Sequence, residues 1–221
     1  MNDHDRDSLI KIGSRPPAGR IRERSDAARN RSRILSVAAR LFAEHGVGEV
    51  SLDAIAGAAG VGKGTLFRRF GSKAGLAAAL LDAQDSALQE RIMFGPPPLG
   101  PGAAASGRIT AFFDAYLELL EDNLELIRLS ETAAPGARYR VGSYQFWRRH
   151  LAVLLAEACP ELDAEVTAHL LLAPVTADLH HALRAAEFTP QRIRASVTAL
   201  IHRFVGATDS PGALGGSGTR T

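Results

Sequence analysis

A chain of 221 residues, 46% hydrophobic and 23% charged, can bury a sizeable core, which excludes a wholly disordered or collagen-like polypeptide. Its formal net charge of +2 conceals an asymmetry: residues 1–75 carry 14 Lys or Arg against 8 Asp or Glu, whereas the remainder carries 12 against 16. The single cysteine, Cys159, excludes an intramolecular disulfide framework.

The 38 Ala and 27 Leu outnumber the 10 Val and 10 Ile by more than three to one, a ratio that favours an all-α fold. The N-terminus lacks the apolar stretch of a signal peptide, and no run approaches the ~20 apolar residues of a spanning helix. A cytoplasmic protein without a membrane partner is therefore expected.

Residues 1–29 mix Arg, Asp, Ser, Pro and Gly without apolar periodicity and read as a flexible, Arg-bearing tail. From Asn30, the residues Ile34, Leu35, Ala38, Leu41 and Phe42 form one apolar stripe, predicting a first helix over about 30–45 that stops at Gly46. Ser51 is a candidate N-cap for a second helix, with Leu52, Ile55, Ala56 and Ala59 inward and Gly60 as its break. A third runs from about Lys63 to Phe70 and stops at Gly71. Ser72 then caps a fourth, which starts at Lys73, follows Leu76, Leu80, Ala83 and Ala87, and extends to about Met93.

The segment Gly95–Gly107 is too rich in proline and glycine for a helix and marks a loop or boundary. A fifth helix carries Ile109, Phe112, Phe113, Tyr116, Leu117 and Leu120, and a sixth carries Leu124, Ile127 and Leu129. After a loop at 133–142, a seventh helix spans about Ser143–Ala158. The eighth would cover about 162–187, with a kink or break at Pro174. Thr189 and Pro190 read as the N-cap and first-turn proline of a ninth. The last fifteen residues form a Gly/Ser tail.

The stretch SLDAIAGAAGVGKGTLFRRFGSK, from Ser51 to Lys73, admits two readings as a phosphate-handling element. Gly57, Gly62 and Lys63 fit most of a G-x-x-x-x-G-K-[ST] phosphate loop, but Gly64 stands where the hydroxyl belongs. Such a loop joins a buried strand to a long helix. Here Asp53 interrupts the candidate strand, Gly71 stops the helix after about two turns, and Pro174 spoils the nearest second strand. A nucleotide-binding enzyme is therefore disfavoured.

As a helix-turn-helix, the same stretch puts Leu66 and Phe70 on one face of the second helix. Gly64, Thr65 and Arg68 then lie opposite, with Arg69 at one flank and Lys63 and Phe67 at the other. Glycine inside a helix costs about 1 kcal/mol relative to alanine, and close approach of DNA to Gly64 would account for it. Lys73 in a helix first turn opposes the dipole unless an anion such as a DNA phosphate lies there.

The elements ILSVAARLFAEHG, SLDAIAGAAGVGKGTLFRRF and GSKAGL resemble the DNA-binding domain of the tetracycline-repressor (TetR) family of transcriptional regulators over residues 30–85. The resemblance implies an all-α homodimer, with an N-terminal three-helix helix-turn-helix domain (motif 51–70) and a C-terminal helical effector-binding and dimerisation domain over 86–206. Residues 207–221 would be a disordered tail.

It also implies a ligand-responsive repressor of a palindromic double-stranded DNA operator, not an enzyme, released by an unknown small-molecule effector. An activator or a non-DNA-binding adaptor on the same scaffold are the alternatives. Ser51, Lys63, Gly64, Thr65, Phe67 and Arg69 fall on the family's DNA-facing positions and Lys73 on a phosphate; Arg68 joins them on helical geometry. Phe67 replaces the family's usual tyrosine, and Gly62 its usual hydroxyl cap.

Arg20, Arg22, Arg24, Arg29, Arg31 and Arg33 could form an arm reaching the minor groove. In the second half, the resemblance puts an effector pocket among the fifth to seventh helices, where Phe112, Tyr116 and Trp147 are the candidate lining, and pairs the last two helices across the dimer. His169, His180, His181 and His202 have no metal-ligand spacing, so neither metal nor cofactor is expected.

Overall fold

The computed structural model describes residues 18–208, whose regular elements are all helical, with no strand among them. The first helix, α1 (Ala18–His45), begins twelve residues before the expected start at Asn30. The apolar stripe of 34–42 marks only the part of α1 that packs; its earlier turns have polar sequence and were invisible to periodicity. Residues 1–17 of the expected tail, and the side chains of Arg20, Arg22 and Arg24, lie outside the described residues.

Helices α2 (Leu52–Ala58) and α3 (Lys63–Phe70) follow as a helix-turn-helix. Ser51 caps α2 by accepting a hydrogen bond from the Ala54 amide at 3.1 Å. Gly60 holds φ at +62°, a left-handed conformation that reverses the chain between the two helices without a Cβ penalty. Ile34, Ala38 and Phe42 of α1, Ile55, Ala56 and Ala59 around α2, and Leu66 of α3 close a small core. Leu76 of α4 (Lys73–Phe94) completes it.

Helix α4 serves two cores. Beyond Leu76 and Ala77, its buried residues are Leu81, Leu88 and Ile92, which join the larger C-terminal core. The expected inward residues Ala83 and Ala87 are exposed and Leu80 is only half-buried, because the larger core draws on a different stripe of the helix.

Helix α5 (Ala105–Asp122) starts inside the segment assigned to a loop, so only 95–104 is non-helical there. Its apolar residues Ile109, Phe112, Phe113, Tyr116, Leu117 and Leu120 are all buried. Next come α6 (Leu124–Glu131), a 3-10 turn at Arg138–Arg140, and α7 (Gly142–Ala158). The long eighth helix is in fact two, α8 (Ala164–Leu172) and α9 (Ala177–Ala185), divided by a 3-10 turn holding Pro174. Asp163 and Thr176 supply separate N-caps to α8 and α9. Finally α10 (Pro190–Thr208) begins at the expected proline, with Thr189 accepting from the Arg192 amide.

Candidate nucleic-acid interface and effector cavity

Helix α3 is held from below by Leu66, which is fully buried, while Lys63, Gly64, Phe67, Arg68 and Arg69 are exposed and Thr65 is half-buried. These residues therefore share an outward surface. Phe67 leaves 57% of its area in solvent, unusual for a large apolar ring beside two arginines. No protein atom outside the helix's own backbone lies within 4 Å of where a Cβ on Gly64 would stand, so packing inside the chain does not require this glycine.

The cations on this surface are held to different degrees. Arg68 has no hydrogen-bond or ion-pair partner among the described residues and borders a shallow cleft of about 360 Å³ with Asp26, Ala27, Asn30, Thr65 and Arg69. Lys63 meets Asp53 at 2.9 Å with both groups in solvent, a contact worth at most about 1 kcal/mol and easily exchanged. Arg69 donates to the Ala27 carbonyl at 2.6 Å and so braces α3 against α1.

Lys73 has a partner within the chain. Its ammonium donates to the Gly48 carbonyl at 2.9 Å and stands 6.0 Å from the Phe42 ring centroid. The cation thus turns away from the α4 dipole and staples the loop between α1 and α2, and the phosphate inferred at this position is not needed to explain it. Ser72, by accepting from the Gly75 amide, caps that helix end instead. In the described part of the arginine arm, Arg29 pairs with Asp26, Arg31 with Asp82 and Arg33 with Asn30, all at the surface.

A second feature lies among α4, α5, α6 and α7, where a cavity of about 630 Å³ opens. Tyr116 and Trp147 line it. Phe112 does not: it is fully buried behind them, its ring 5.7 Å from Tyr116 and 5.9 Å from Trp147, because it occupies the core side of α5. Tyr144 and Phe146 complete the aromatic wall. Sequence reasoning missed the polar lining, which includes Asp85, Ser143 and Glu131.

Asp85 was legible in hindsight: it falls four residues after Leu81 and three before Leu88, a carboxylate in the stripe of α4 that faces the core. Burial pushes its carboxyl up to about 6, against the opposing effect of a hydrogen bond with Ser143, and Asp82 adds to the rise. Burial likewise pushes the Tyr116 hydroxyl up to about 12, so it stays neutral. Behind the cavity, Arg138 pairs with Glu131, donates to the Leu172 carbonyl at 3.1 Å and lies 5.2 Å from the Tyr144 ring centroid. Nothing in the loop sequence distinguished Arg138 from its exposed neighbour Arg140.

Among the described residues no group of His, Cys, Asp and Glu could hold a metal ion. His169 instead bonds the Tyr144 hydroxyl at 2.6 Å, and His181 meets Glu125 at 3.0 Å. No described helix is long and apolar enough to cross a membrane.

Residues 34–80 match the model of the bacterial regulatory proteins of the tetR family. An HTH-type transcriptional regulator of Staphylococcus aureus strain USA300 is 47% identical over 53 residues, which are 24% of this chain and 29% of that protein. The likeness to that relative is thus confined to less than a third of its length.

In fold, the chain resembles a TetR/AcrR-family regulator of Thermobifida fusca, with a TM-score of 0.57 at 24% identity over 78% of this chain and 96% of the other. A TetR-family regulator of Streptomyces coelicolor gives 0.58 at 20% identity, over 83% and 97%. NalD of Pseudomonas aeruginosa, described as the secondary repressor of a multidrug efflux pump, gives 0.50 at 23%, over 81% and 96%. Residues 34–80 are thus similar to the helix-turn-helix region of the tetR family, and the described chain shares the all-helical fold of these regulators.

Proposed function

We propose that the protein is a sequence-specific DNA-binding transcriptional regulator, a repressor that acts as a dimer on a palindromic operator and responds to a small molecule. The observation that carries the reading is the outward surface of α3, where Arg68 has no partner among the described residues, Lys63 is weakly paired and Gly64 stands in open space. Such a helix suits the major groove, its arginines reading base edges and phosphates bidentately. Ser51, Lys63, Gly64, Thr65, Phe67, Arg68 and Arg69 form that contact surface, and Lys73 and Arg69 brace it.

Dimerisation is supported by Val166, Leu170, Leu179 and Leu200 on α8–α10, large apolar side chains left in solvent by the single chain. The cavity supports an effector, since its volume lies within the usual range for small-molecule sites and α4 runs from its wall to the end of α3. A ligand that fits only one orientation of α4 would shift the separation of paired reading helices.

Selection of bound fragments from random DNA, followed by anisotropy titration at several salt concentrations, tests the reading. Wild-type protein should enrich a palindrome, and Arg68→Ala should weaken binding with a salt slope shallower by about one. Failure to prefer any sequence over random DNA would refute it.

A further inference from the structure

The cavity has a chemical bias that specifies its occupant. Its lining includes three carboxylates, Asp82, Asp85 and Glu131, and no Lys, Arg or His. Two of the three are already compensated. Asp82 lies at the surface and meets Arg31 of α1 at 3.1 Å. Glu131 is paired with Arg138 and accepts from the Ala177 amide at 3.1 Å. Asp85, half-buried, has the Ser143 hydroxyl and no cation within ion-pair distance among the described residues.

Around this carboxylate stand Tyr116, Tyr144, Phe146 and Trp147. Trp147 meets Phe146 edge to face at 5.2 Å and Tyr116 at 6.1 Å, so these three rings are contiguous, while Tyr144 lines the cavity separately. Arg138 offers no counter-attraction for an anion, because its guanidinium is engaged by Glu131, the Leu172 carbonyl and the Tyr144 ring. An anionic ligand would bring a further negative charge beside Asp85, and a neutral apolar one would strip water from a carboxylate without replacing it. A cation does neither: it supplies the missing partner, and its substituents meet ring faces that attract positive charge.

We propose that this cavity binds an organic cation, a protonated amine on an apolar or aromatic body, with Asp85 as its ion-pair partner and the four rings as its cage. The assignment rests on the effector reading above and names the ligand's class. Because Asp85 belongs to α4, the ion pair forms on the helix that also contributes Leu76 to the N-terminal core.

A pH signature follows. The groups facing Asp85 are Asp82 on α4, Tyr116 on α5, Glu131 on α6 with Arg138 behind it, and Ser143 and Tyr144 on α7. Burial raises the Glu131 carboxyl as well, against the pull of Arg138, while Asp85, without a cation partner among the described residues, is pushed up to about 6, so in the empty protein it is ionised at pH 7–8 and protonated as pH falls through about 6. Amine affinity should therefore be full above that range and decline below it. A bound cation favours the ionised form, so binding near pH 6 should release protons.

Trp147 is the only tryptophan in the chain and lines the cavity, so its fluorescence reports occupancy of the full-length protein without DNA. Three probes of one shape, phenylbutylamine, phenylbutanol and phenylbutyrate, separate charge from size. At pH about 7.5 the amine should bind at least about tenfold more tightly than the alcohol, the carboxylate more weakly than either. Asp85→Asn should remove that amine preference and its pH dependence while leaving alcohol binding and the melting transition in place. Asp82→Asn, at the solvated mouth, should change amine binding by less than about threefold.

The proposal is overturned if the carboxylate binds as tightly as the amine, if Asp85→Asn leaves amine affinity unchanged, or if the amine gives no saturable quenching. Loss of sequence-specific DNA binding would remove the regulator reading and leave this site standing. Amine binding without any effect on DNA affinity would separate the two in the other direction.

Discussion

The outward surface of α3 and the cavity among α4–α7 both present charge, but under opposite physical conditions. On α3 the cations stand in water: Lys63 and Asp53 are each more than half exposed, and Arg68 has no partner among the described residues. In the C-terminal region, Glu131 and Arg138 are both more than nine-tenths removed from solvent and hold each other in place. Surface charges change partners at little cost, which suits a polyanion arriving from solution. Buried charges need a fixed partner or a ligand, which suits recognition of one molecule at a time.

The sharpest break of that comparison is Arg138→Met. It should strand Glu131 and the Leu172 carbonyl and cost about 3–5 kcal/mol, read as a fall in the urea midpoint. A loss below about 1 kcal/mol would make the buried pair no more consequential than a surface one, and the contrast would collapse.

A smaller effect, confined to the other region, is expected at Gly75. A Cβ there would collide with the Phe70 carbonyl oxygen where the start of α4 meets the end of α3. Gly75→Ala should destabilise the N-terminal unit by about 1–3 kcal/mol and depress DNA binding, while tryptophan quenching by the amine persists. Equal loss of both activities would show that the two regions unfold together.

The smallest effect has opposite signs in two assays. Gly64→Ala meets open space and should stabilise α3 by up to about 1 kcal/mol, measured by thermal melting. If DNA packs on that spot, the same methyl group should weaken operator affinity. Unchanged affinity would move the interface away from the first turn of α3.

Legibility in the sequence followed the range of the contacts involved. Ser51, Gly60 and Ser72 act within three or four residues of their own position, so capping and turn rules found them. The contact of Lys73 was not legible, because its partner in the free chain, Gly48, lies 25 residues away in a loop. Phe112 was assigned to the cavity on composition, yet which rings face the void depends on how α5 rotates against α7. Asp85 and Arg138 draw their roles from helices far along the chain; Asp85 has no local signature beyond a polar residue interrupting an apolar stripe, and Arg138, in a 3-10 turn, has none.

The sequence by itself determined the helical class, the helix-turn-helix and the identity of its outward residues, because short-range periodicity, caps and glycine turns specify them. Only the tertiary structure decided that α1 begins at Ala18 and that the eighth helix is divided in two. It alone decided that Lys73 meets a loop carbonyl and that a carboxylate without a cation partner among the described residues shares a cavity with four aromatic rings. The physical reason is that burial and pairing of charge are properties of side chains brought together from different helices, and no spacing within one helix encodes them.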